Sequence, residues 1–188
     1  ILGKWHLNFL YTDPATGEKL EEGKVPQGLA PVGSKIPDGP INRGFDYFHG
    51  FHHAGDMECV IENDAVVEHD DPINMLPRLT KKAVAYLDER AKDKNTPFFL
   101  YLPYGSPHAP IVPSKEWQGK SGLNPYADFV MQNDDSVGQI LSALGNNGQR
   151  ENTLLIFSSD NGCSAKDAKV KELNKHGHYP SAGYRGYK

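Results

Sequence analysis

Apolar side chains recur at helical spacing in two stretches of the second half of the chain. The first stretch carries lysines and acidic residues on its other face, and its apolar positions are Leu79, Ala83, Tyr86, Leu87 and Ala91. The second stretch has the apolar positions Tyr126, Val130, Val137, Leu141 and Leu144. Each pattern predicts an amphipathic α-helix. Gly145, followed by Asn-Asn-Gly, predicts the end of the second helix.

Two continuous apolar runs, at residues 97–102 and 153–157, flank the second predicted helix. Runs of this length are typical of strands that are buried on both faces. Strand, helix and strand in this order form a βαβ unit, so we expect two parallel strands with a right-handed crossover. Ligands of open parallel sheets bind beyond the carboxyl ends of the strands. We therefore expect the loop with His108 and the turn with Asp160 and Asn161 to converge.

The first half of the chain has weaker periodicity. Residues 1–7 predict the end of a short strand that runs into a loop, and residues 8–42 predict a long loop rich in glycine, proline and charge. Two short apolar runs, residues 59–61 and 65–67, flank Asn63 and predict a small hairpin. Helices and strands together indicate an α/β protein.

Composition and charge narrow the classes of function. The chain has 188 residues, a net charge of -4 and an apolar fraction of 38%. It has no basic stripe with interleaved aromatic residues and no apolar run of membrane-spanning length, so we expect neither a nucleic-acid partner nor a membrane span. It starts at Ile1 without an initiator methionine or signal peptide and stops at Lys188 without a closing element, so we expect an interior fragment. Two cysteines, Cys59 and Cys163, are too few for a disulfide framework, although a single bridge between them stays open.

The sequence Asp160-Asn161-Gly162 comes directly after the second predicted strand and its two serines. It sets a carboxylate beside an amide oxygen, and hard cations such as calcium or magnesium prefer oxygen ligands. Glycine lets the backbone turn sharply, so that both side chains can face one point. The alternative interpretation is an ordinary polar turn, because these three residue types dominate turns.

Two further segments carry candidate chemistry. His108 follows Pro107 and precedes Ala-Pro, and these prolines restrict the loop backbone. A rigidly held histidine suits a general acid or a hydrogen-bond partner of a substrate. Lys4 and His6 share one face if their segment is extended, and together they form a site for an anion. The alternatives are a surface-loop histidine and an ordinary strand that leaves the core.

The remaining histidines have no spacing typical of a metal site. They are His49, His52, His53, His69, His176 and His178. We predict that the pair His52 and His53, and the pair His176 and His178, are solvated loop residues and not zinc ligands.

Motifs spread over nearly the whole chain carry a family resemblance. They begin with Gly-Lys-Trp-His-Leu and lie at residues 3–7, 44–50, 97–104, 107–110, 134–138, 152–162 and 180–188. In this order and spacing they resemble the sulfatase family, which has the alkaline-phosphatase-like superfold. The resemblance implies an α/β fold with a mixed, mainly parallel sheet flanked by helices. It also implies that residues 1–188 are part of a single sulfatase catalytic domain, without its N-terminal nucleophile segment and its C-terminal region.

The resemblance further implies a function and the residues that perform it. The function is that of a sulfuric ester hydrolase acting on an aryl or carbohydrate sulfate, in a protein exported to the periplasm, the extracellular space or the lysosome. Asp160 and Asn161 would bind a divalent cation, usually Ca²⁺, with Mg²⁺ as the alternative. Lys4, His108 and Lys188 would contact the sulfate oxygens, and His108 or a neighbour would protonate the leaving alcohol.

The nucleophile implied by the resemblance is a formylglycine hydrate, to which His6 would donate or accept a hydrogen bond. Formylglycine arises from a cysteine or serine followed by x-Pro-x-Arg, and neither Cys59 nor Cys163 has that sequence after it. We therefore expect the nucleophile outside this fragment and the fragment alone to be inactive. Two alternatives stay open: a phosphodiesterase or phosphonate hydrolase of the same superfold, and a non-catalytic protein that binds sulfated glycans.

Overall fold

A computed structural model describes the chain over residues 1–7, 10–20 and 29–188. These residues form two compact units, the first of Ile1–Ala85 with Asn95–Gly105 and the second of Tyr86–Lys94 with Ser106–Lys188. Residues 8–9 and 21–28, which belong to the predicted long loop, lie outside the described residues. Over the described ranges, no helix has the length and apolar character needed to cross a membrane.

The first unit contains a four-stranded sheet in the order β1-β2-β3-β4. Its strands are β1 (Leu2–Lys4), β2 (His49–Phe51), β3 (Cys59–Glu62) and β4 (Ala65–His69). β1 pairs with β2 in parallel, whereas β3 is antiparallel to both of its neighbours. A mixed sheet in an α/β protein is thus confirmed, and antiparallel pairs outnumber the parallel pair among the described strands.

The predicted hairpin is confirmed at β3 and β4. Asn63 in the turn has a φ of 55°, a left-handed conformation to which asparagine is well suited. Val60 and Ile61 are fully buried, which explains their continuous apolar run. Cys59 beside them is a buried free thiol, and Cys163 in the second unit is also free. The possible disulfide bridge is therefore not formed.

Two glycines allow β1 and β2 to approach each other closely. Gly3 lies opposite Gly50 in the parallel pair, and a Cβ atom on Gly50 would lie 1.9 Å from the Gly3 carbonyl oxygen. A Cβ atom on Gly3 would in turn lie 2.2 Å from the carbonyl oxygen of Pro103. Because both obstacles are backbone atoms, no side-chain rotation can relieve them. Glycine is therefore required at both positions to place the end of β1.

We expect the substitution Gly50→Ala to lower the free energy of unfolding by about 3 kcal/mol or more, because the methyl group pushes β1 away from β2. Gly138→Ala is the matched control, since Gly138 lies at an exposed helical position with no atom within 4 Å of an added Cβ. Alanine at such a position should stabilise the chain by about 1 kcal/mol. Urea unfolding measures both variants, and an unchanged midpoint for Gly50→Ala would contradict the close approach.

Helix α1 (Met75–Arg90) confirms the first predicted helix. Asp71 caps the short 3-10 turn that leads into it. Its apolar side contributes to a buried cluster with members of the sheet, which comprises Phe51, Met57, Val60, Met75 and Leu79. Arg78 donates hydrogen bonds to Glu68 and Asp70, each at 2.6 Å. These bonds tie α1 to the end of β4.

His49 on β2 is buried, and within the described residues neither ring nitrogen has a hydrogen-bond partner. Burial, together with the charge of Lys82, lowers the pKa of His49 from 6.5 to about 4. The Glu62 carboxylate, 3.7 Å from Nδ1, acts in the opposite direction but does not outweigh burial. His49 is therefore neutral in the folded protein at neutral pH.

This buried histidine should make the first unit sensitive to acid. Between pH 6.5 and about 4 the unfolded chain takes up a proton at His49 that the folded chain does not. The free energy of unfolding should therefore fall as the pH drops through this range, by at most about 3 kcal/mol. Urea unfolding at several pH values measures the slope for the wild type and His49→Leu. The variant should lose much of the slope, and an equal slope in both proteins would assign the acid sensitivity to other groups.

The second unit is built around α2 (Pro125–Asn146), which confirms the second predicted helix. Asn124 caps its start, where its side chain accepts a hydrogen bond from the first turn at 3.0 Å. Gly148, with a φ of 65°, follows its end as the sequence predicts. A short helix α3 (Val170–Lys175) follows later, and the Asn124 side chain also donates to the carbonyl of Ala168 just before it, at 3.2 Å.

The two predicted strands at residues 97–102 and 153–157 are wrong, because neither forms a strand of the structure. Residues 97–102 contact β1, where the Leu2 amide donates to the Tyr101 carbonyl at 3.0 Å. Residues 153–157 have no cross-strand pairing over the described part of the chain. A strand needs neighbours for its backbone groups, and without them the apolar side chains are exposed, with Leu154 at 88%. The predicted βαβ unit is therefore also wrong.

Candidate active site

The chain leaves the sheet after Lys4, at the end of β1. The amides of Trp5 and His6 donate to the carbonyls of Phe51 and His52, at 3.0 and 2.8 Å. His6 has a φ of 55°, so the backbone is not extended through this residue. The extended segment, on which the prediction that Lys4 and His6 share one face depends, is therefore not formed. The same hydrogen bonds set the backbone of His6 beside His52.

His52 and His53 lie in the loop that follows β2, as predicted, with 13% and 40% of their side chains exposed to solvent. Both are half-buried, and together with buried Asp56 they offer three ligand atoms that lie within 4.8 Å of one another. His52 Nδ1 lies 3.6 Å from Asp56 Oδ2, and His53 Nδ1 lies 4.0 Å from Asp56 Oδ1. The ring centroids of His6 and His53 are 6.3 Å apart. The sequence feature that could have indicated this group is Asp56, which lies four residues after His52. A short 3-10 turn brings the Asp56 carboxylate back to both histidines.

Asp56 connects this turn to the loop that carries Tyr11. Its Oδ1 accepts a hydrogen bond from the His53 amide and its Oδ2 accepts one from the Tyr11 hydroxyl, both at 2.8 Å. Burial by itself would raise the pKa of Asp56, but hydrogen bonds from His52, the His53 amide and Tyr11 outweigh it and hold the pKa below its usual range. Burial and the neighbouring carboxylate raise the pKa of Tyr11. Asp56 is thus an ionised acceptor, and Tyr11 keeps its proton to donate.

His108 lies in a half-buried loop of the second unit. Its Nδ1 lies 2.5 Å from the carbonyl oxygen of Ala109, and because a carbonyl only accepts, Nδ1 is the donor. Ser106 in the same loop donates to the Asn133 side chain on α2, at 2.5 Å. These contacts hold the loop and the histidine ring in place. Because Nδ1 already donates to Ala109, Nε2 is the ring nitrogen that is available to exchange a proton with a substrate.

The turn with Asp160 and Asn161 is exposed and lies beside the end of the chain. The amide of Lys188 donates to the carbonyl of Cys163 at 3.1 Å, and a Cβ atom on Gly162 would lie 2.9 Å from the carbonyl oxygen of the glycine at position 186. The structure therefore places the backbone of Lys188 beside the residues that directly follow Asp160 and Asn161. The convergence of the His108 loop with this turn stays a prediction.

The donor atoms of Asp160 and Asn161 are a carboxylate and an amide oxygen, which are ligands of hard cations. Calcium takes six to eight oxygen ligands. The pair therefore fits such an ion in chemistry and would supply part of its coordination shell.

His176 and His178, the other histidine pair that we predicted to be solvated, are exposed.

Comparisons with known proteins place the chain among the sulfatases. The sulfatase family model matches residues 1–186. The chain is 35% identical over 172 residues to the uncharacterized sulfatase YdeN of Escherichia coli, a match that covers 86% of this chain and 30% of that protein. It is 29% identical over 239 residues to an N-acetylgalactosamine-6-O-sulfatase of Bacteroides thetaiotaomicron, a match that covers 100% of this chain and 45% of that protein.

A solved structure from work on glycosaminoglycan metabolism by Bacteroides thetaiotaomicron shows the same fold. The TM-score is 0.74 at 22% sequence identity, and the match covers 98% of this chain and 47% of that chain. The present chain thus spans between 30% and 47% of the length of these three relatives. Because the family model covers almost every residue, this chain belongs to the sulfatase family.

Proposed function

We propose that residues 1–188 are part of a single sulfatase catalytic domain, in a longer protein that hydrolyses sulfate esters. The observation that carries the proposal is the arrangement in the second unit, where the turn of Asp160 and Asn161 lies beside the backbone of Lys188. It combines donors for a cation with a positive side chain on neighbouring segments. This is the combination that hydrolysis of an anionic ester requires.

The cationic side chains act on the sulfuryl group. Negative charge spreads over the sulfate oxygens during transfer, and fixed positive groups stabilise it. We assign this contact to Lys4, His108 and Lys188. His108 also protonates the leaving alcohol from Nε2, while its Nδ1 bond to the carbonyl of Ala109 keeps the ring in place. His6 holds the nucleophile through a hydrogen bond.

Sulfatases as a family bind a metal ion, and Asp160 and Asn161 are the residues that we propose for it. We propose Ca²⁺, with Mg²⁺ as the alternative, because both ions prefer oxygen ligands. When bound between Asp160 and Asn161, such an ion would supply positive charge that stabilises the reacting sulfate. We further propose that the longer protein supplies a formylglycine nucleophile, since neither Cys59 nor Cys163 precedes x-Pro-x-Arg.

The substrate that we propose is a sulfated amino sugar within a glycan. One support is the relative named N-acetylgalactosamine-6-O-sulfatase, which the whole chain matches. An aryl sulfate is the smaller substrate that the same chemistry would accept. Phosphate esters are less favoured, because the relatives that match the chain are named as sulfatases. We also propose that the protein is exported, as the family resemblance implies.

Sulfate release from N-acetylgalactosamine 6-sulfate by the full-length protein tests this proposal. Ion chromatography should detect inorganic sulfate that accumulates with time, and Lys4→Ala should remove most of it. Lys35→Ala is the matched control, because Lys35 is exposed and pairs with Asp64 at 3.1 Å. Equal release by Lys4→Ala and wild type would exclude Lys4 from the site. No release from any sulfated amino sugar or aryl sulfate would refute the proposed function.

A further inference from the structure

We propose that His52, His53 and Asp56 bind a transition-metal cation of the zinc class. The three residues lie in the first unit, and none of them belongs to the cation site proposed for Asp160 and Asn161. The proposal rests on the geometry and ligand chemistry of these three side chains. It does not depend on sulfate hydrolysis.

The ligand atoms are already near the spacing that zinc requires. All three lie within 4.8 Å of one another, and His52 Nδ1 is 3.6 Å from Asp56 Oδ2. A tetrahedral zinc ion with bonds of about 2.1 Å holds its ligand atoms roughly 3.4 Å apart. His52 donates a hydrogen bond to Asp56, and a metal that takes the place of this proton, which passes to solvent, needs a shift of only about 0.2 Å. The ligand atom of His53 lies within the 4.8 Å that bounds the whole group, so its ring must move by up to roughly 1.4 Å to reach the zinc spacing.

Contacts already present hold the carboxylate of Asp56 in position. Asp56 is 4% exposed, and it accepts hydrogen bonds from the Tyr11 hydroxyl and the His53 amide, both at 2.8 Å. Hydrogen bonds to a ligating carboxylate orient it and strengthen metal binding. An ion would thus meet one fixed ligand and two histidines that adjust to it.

His53 already presents a lone pair on Nδ1. This atom accepts a hydrogen bond from the Gly55 amide at 2.9 Å, so in the neutral ring the proton lies on Nε2. Metals bind the unprotonated nitrogen of an imidazole. A metal at Nδ1 takes the place of the Gly55 amide. Metal binding should therefore speed hydrogen exchange at the Gly55 amide, a change that depends on this site and on no activity.

The donor set selects the class of metal. Two imidazole nitrogens and one carboxylate oxygen suit zinc, cobalt and nickel, whereas calcium and magnesium prefer shells made of oxygen. Three protein ligands also leave a fourth position for water or another ligand, as in many zinc sites. We therefore expect Zn²⁺ to bind here in preference to Ca²⁺.

Calorimetric titration of the chelator-treated chain with Zn²⁺ tests the proposal, with Co²⁺ absorption as a second readout of tetrahedral binding. The wild type should bind one equivalent of Zn²⁺. His52→Ala and His53→Ala should each weaken the affinity at least about tenfold. The control variant carries both His176→Ala and His178→Ala, which removes two exposed histidines elsewhere, and it should keep the wild-type affinity.

Two further variants keep the test valid if an alanine variant does not fold. If circular dichroism shows that an alanine variant is unfolded, His52→Gln or His53→Gln takes its place, because glutamine keeps a polar side chain and at position 53 can still accept the Gly55 hydrogen bond. Unchanged zinc affinity in the folded His52 and His53 variants would overturn the proposal, and so would an equal affinity of the wild type for Ca²⁺ at these residues. Asp160→Ala should leave zinc binding intact, which separates this site from the proposed calcium site.

Discussion

Replacement of Asp160 by alanine should lower the kcat of the full-length enzyme roughly a hundredfold to a thousandfold. The carboxylate is one of the two side-chain ligands that we propose for Ca²⁺, so its loss weakens cation binding and the stabilisation of charge on the sulfate. Asp160 is exposed at a turn, so the variant should fold normally. Circular dichroism and the rate of sulfate release, measured together, separate a loss of activity from a loss of structure.

Asp134→Ala is the matched control for this experiment, because Asp134 is an exposed carboxylate on α2. It should leave kcat unchanged. Chelation of Ca²⁺ should inactivate the wild type, and excess Ca²⁺ should restore the wild type fully but Asp160→Ala only in part. Wild-type turnover by Asp160→Ala would mean that the cation ligands are other residues.

His108→Ala and Lys188→Ala should each lower kcat heavily, roughly a hundredfold or more, but with different dependence on the leaving group. If His108 protonates the leaving alcohol, its loss should harm sugar sulfates, which have poor leaving groups, more than activated aryl sulfates. If Lys188 stabilises the sulfate oxygens, as we propose, it does so for both substrates, and its loss should harm both about equally. Steady-state kinetics of both variants on both substrates measures the difference.

Lys175→Ala is the control for the lysine, since Lys175 is an exposed lysine on α3. It should keep wild-type kcat on both substrates. An equal loss on sugar and aryl sulfates for His108→Ala would reduce His108 to a residue that only binds sulfate. Full activity of Lys188→Ala would exclude that lysine from the site.

The helices were predictable because their signals are local. α1 and α2 follow from apolar spacing, and the end of α2 follows from Gly145 and the Asn-Asn-Gly after it. The buried face of α2 was less predictable, because it carries polar residues: Asp128 accepts from the amides of Gly119 and Ser121, and Gln132 accepts from the Ser114 amide. Such burial depends on contacts with the loop that precedes the helix, which helical spacing does not reveal.

The strands were less predictable, because a strand depends on its neighbours. The hairpin at residues 59–69 carries its partner in the next few residues and was correctly predicted. Residues 153–157 have an equally apolar sequence but no cross-strand pairing among the described residues. The same distinction explains the missed group of His52, His53 and Asp56, where a 3-10 turn supplies a contact that histidine spacing alone does not indicate.

The site residues were proposed from family resemblance, and the structure adds two observations about them. The first is the proximity of the Asp160 turn to Lys188, through backbone contacts of neighbouring residues. The second is the left-handed backbone of His6, which the alternating pattern of Lys4 to Leu7 concealed. The roles of these residues in catalysis stay predictions until the variants are measured.

The ratio of kcat/KM for para-nitrophenyl sulfate and para-nitrophenyl phosphate tests the central claim most directly. The two esters share one leaving group and differ only in the group that is transferred, so the ratio reports the chemistry of the site. We predict that the full-length protein with Ca²⁺ hydrolyses the sulfate ester faster, and that Lys4→Ala lowers this rate. Faster hydrolysis of the phosphate ester, with no release of sulfate, would contradict the assignment as a sulfuric ester hydrolase.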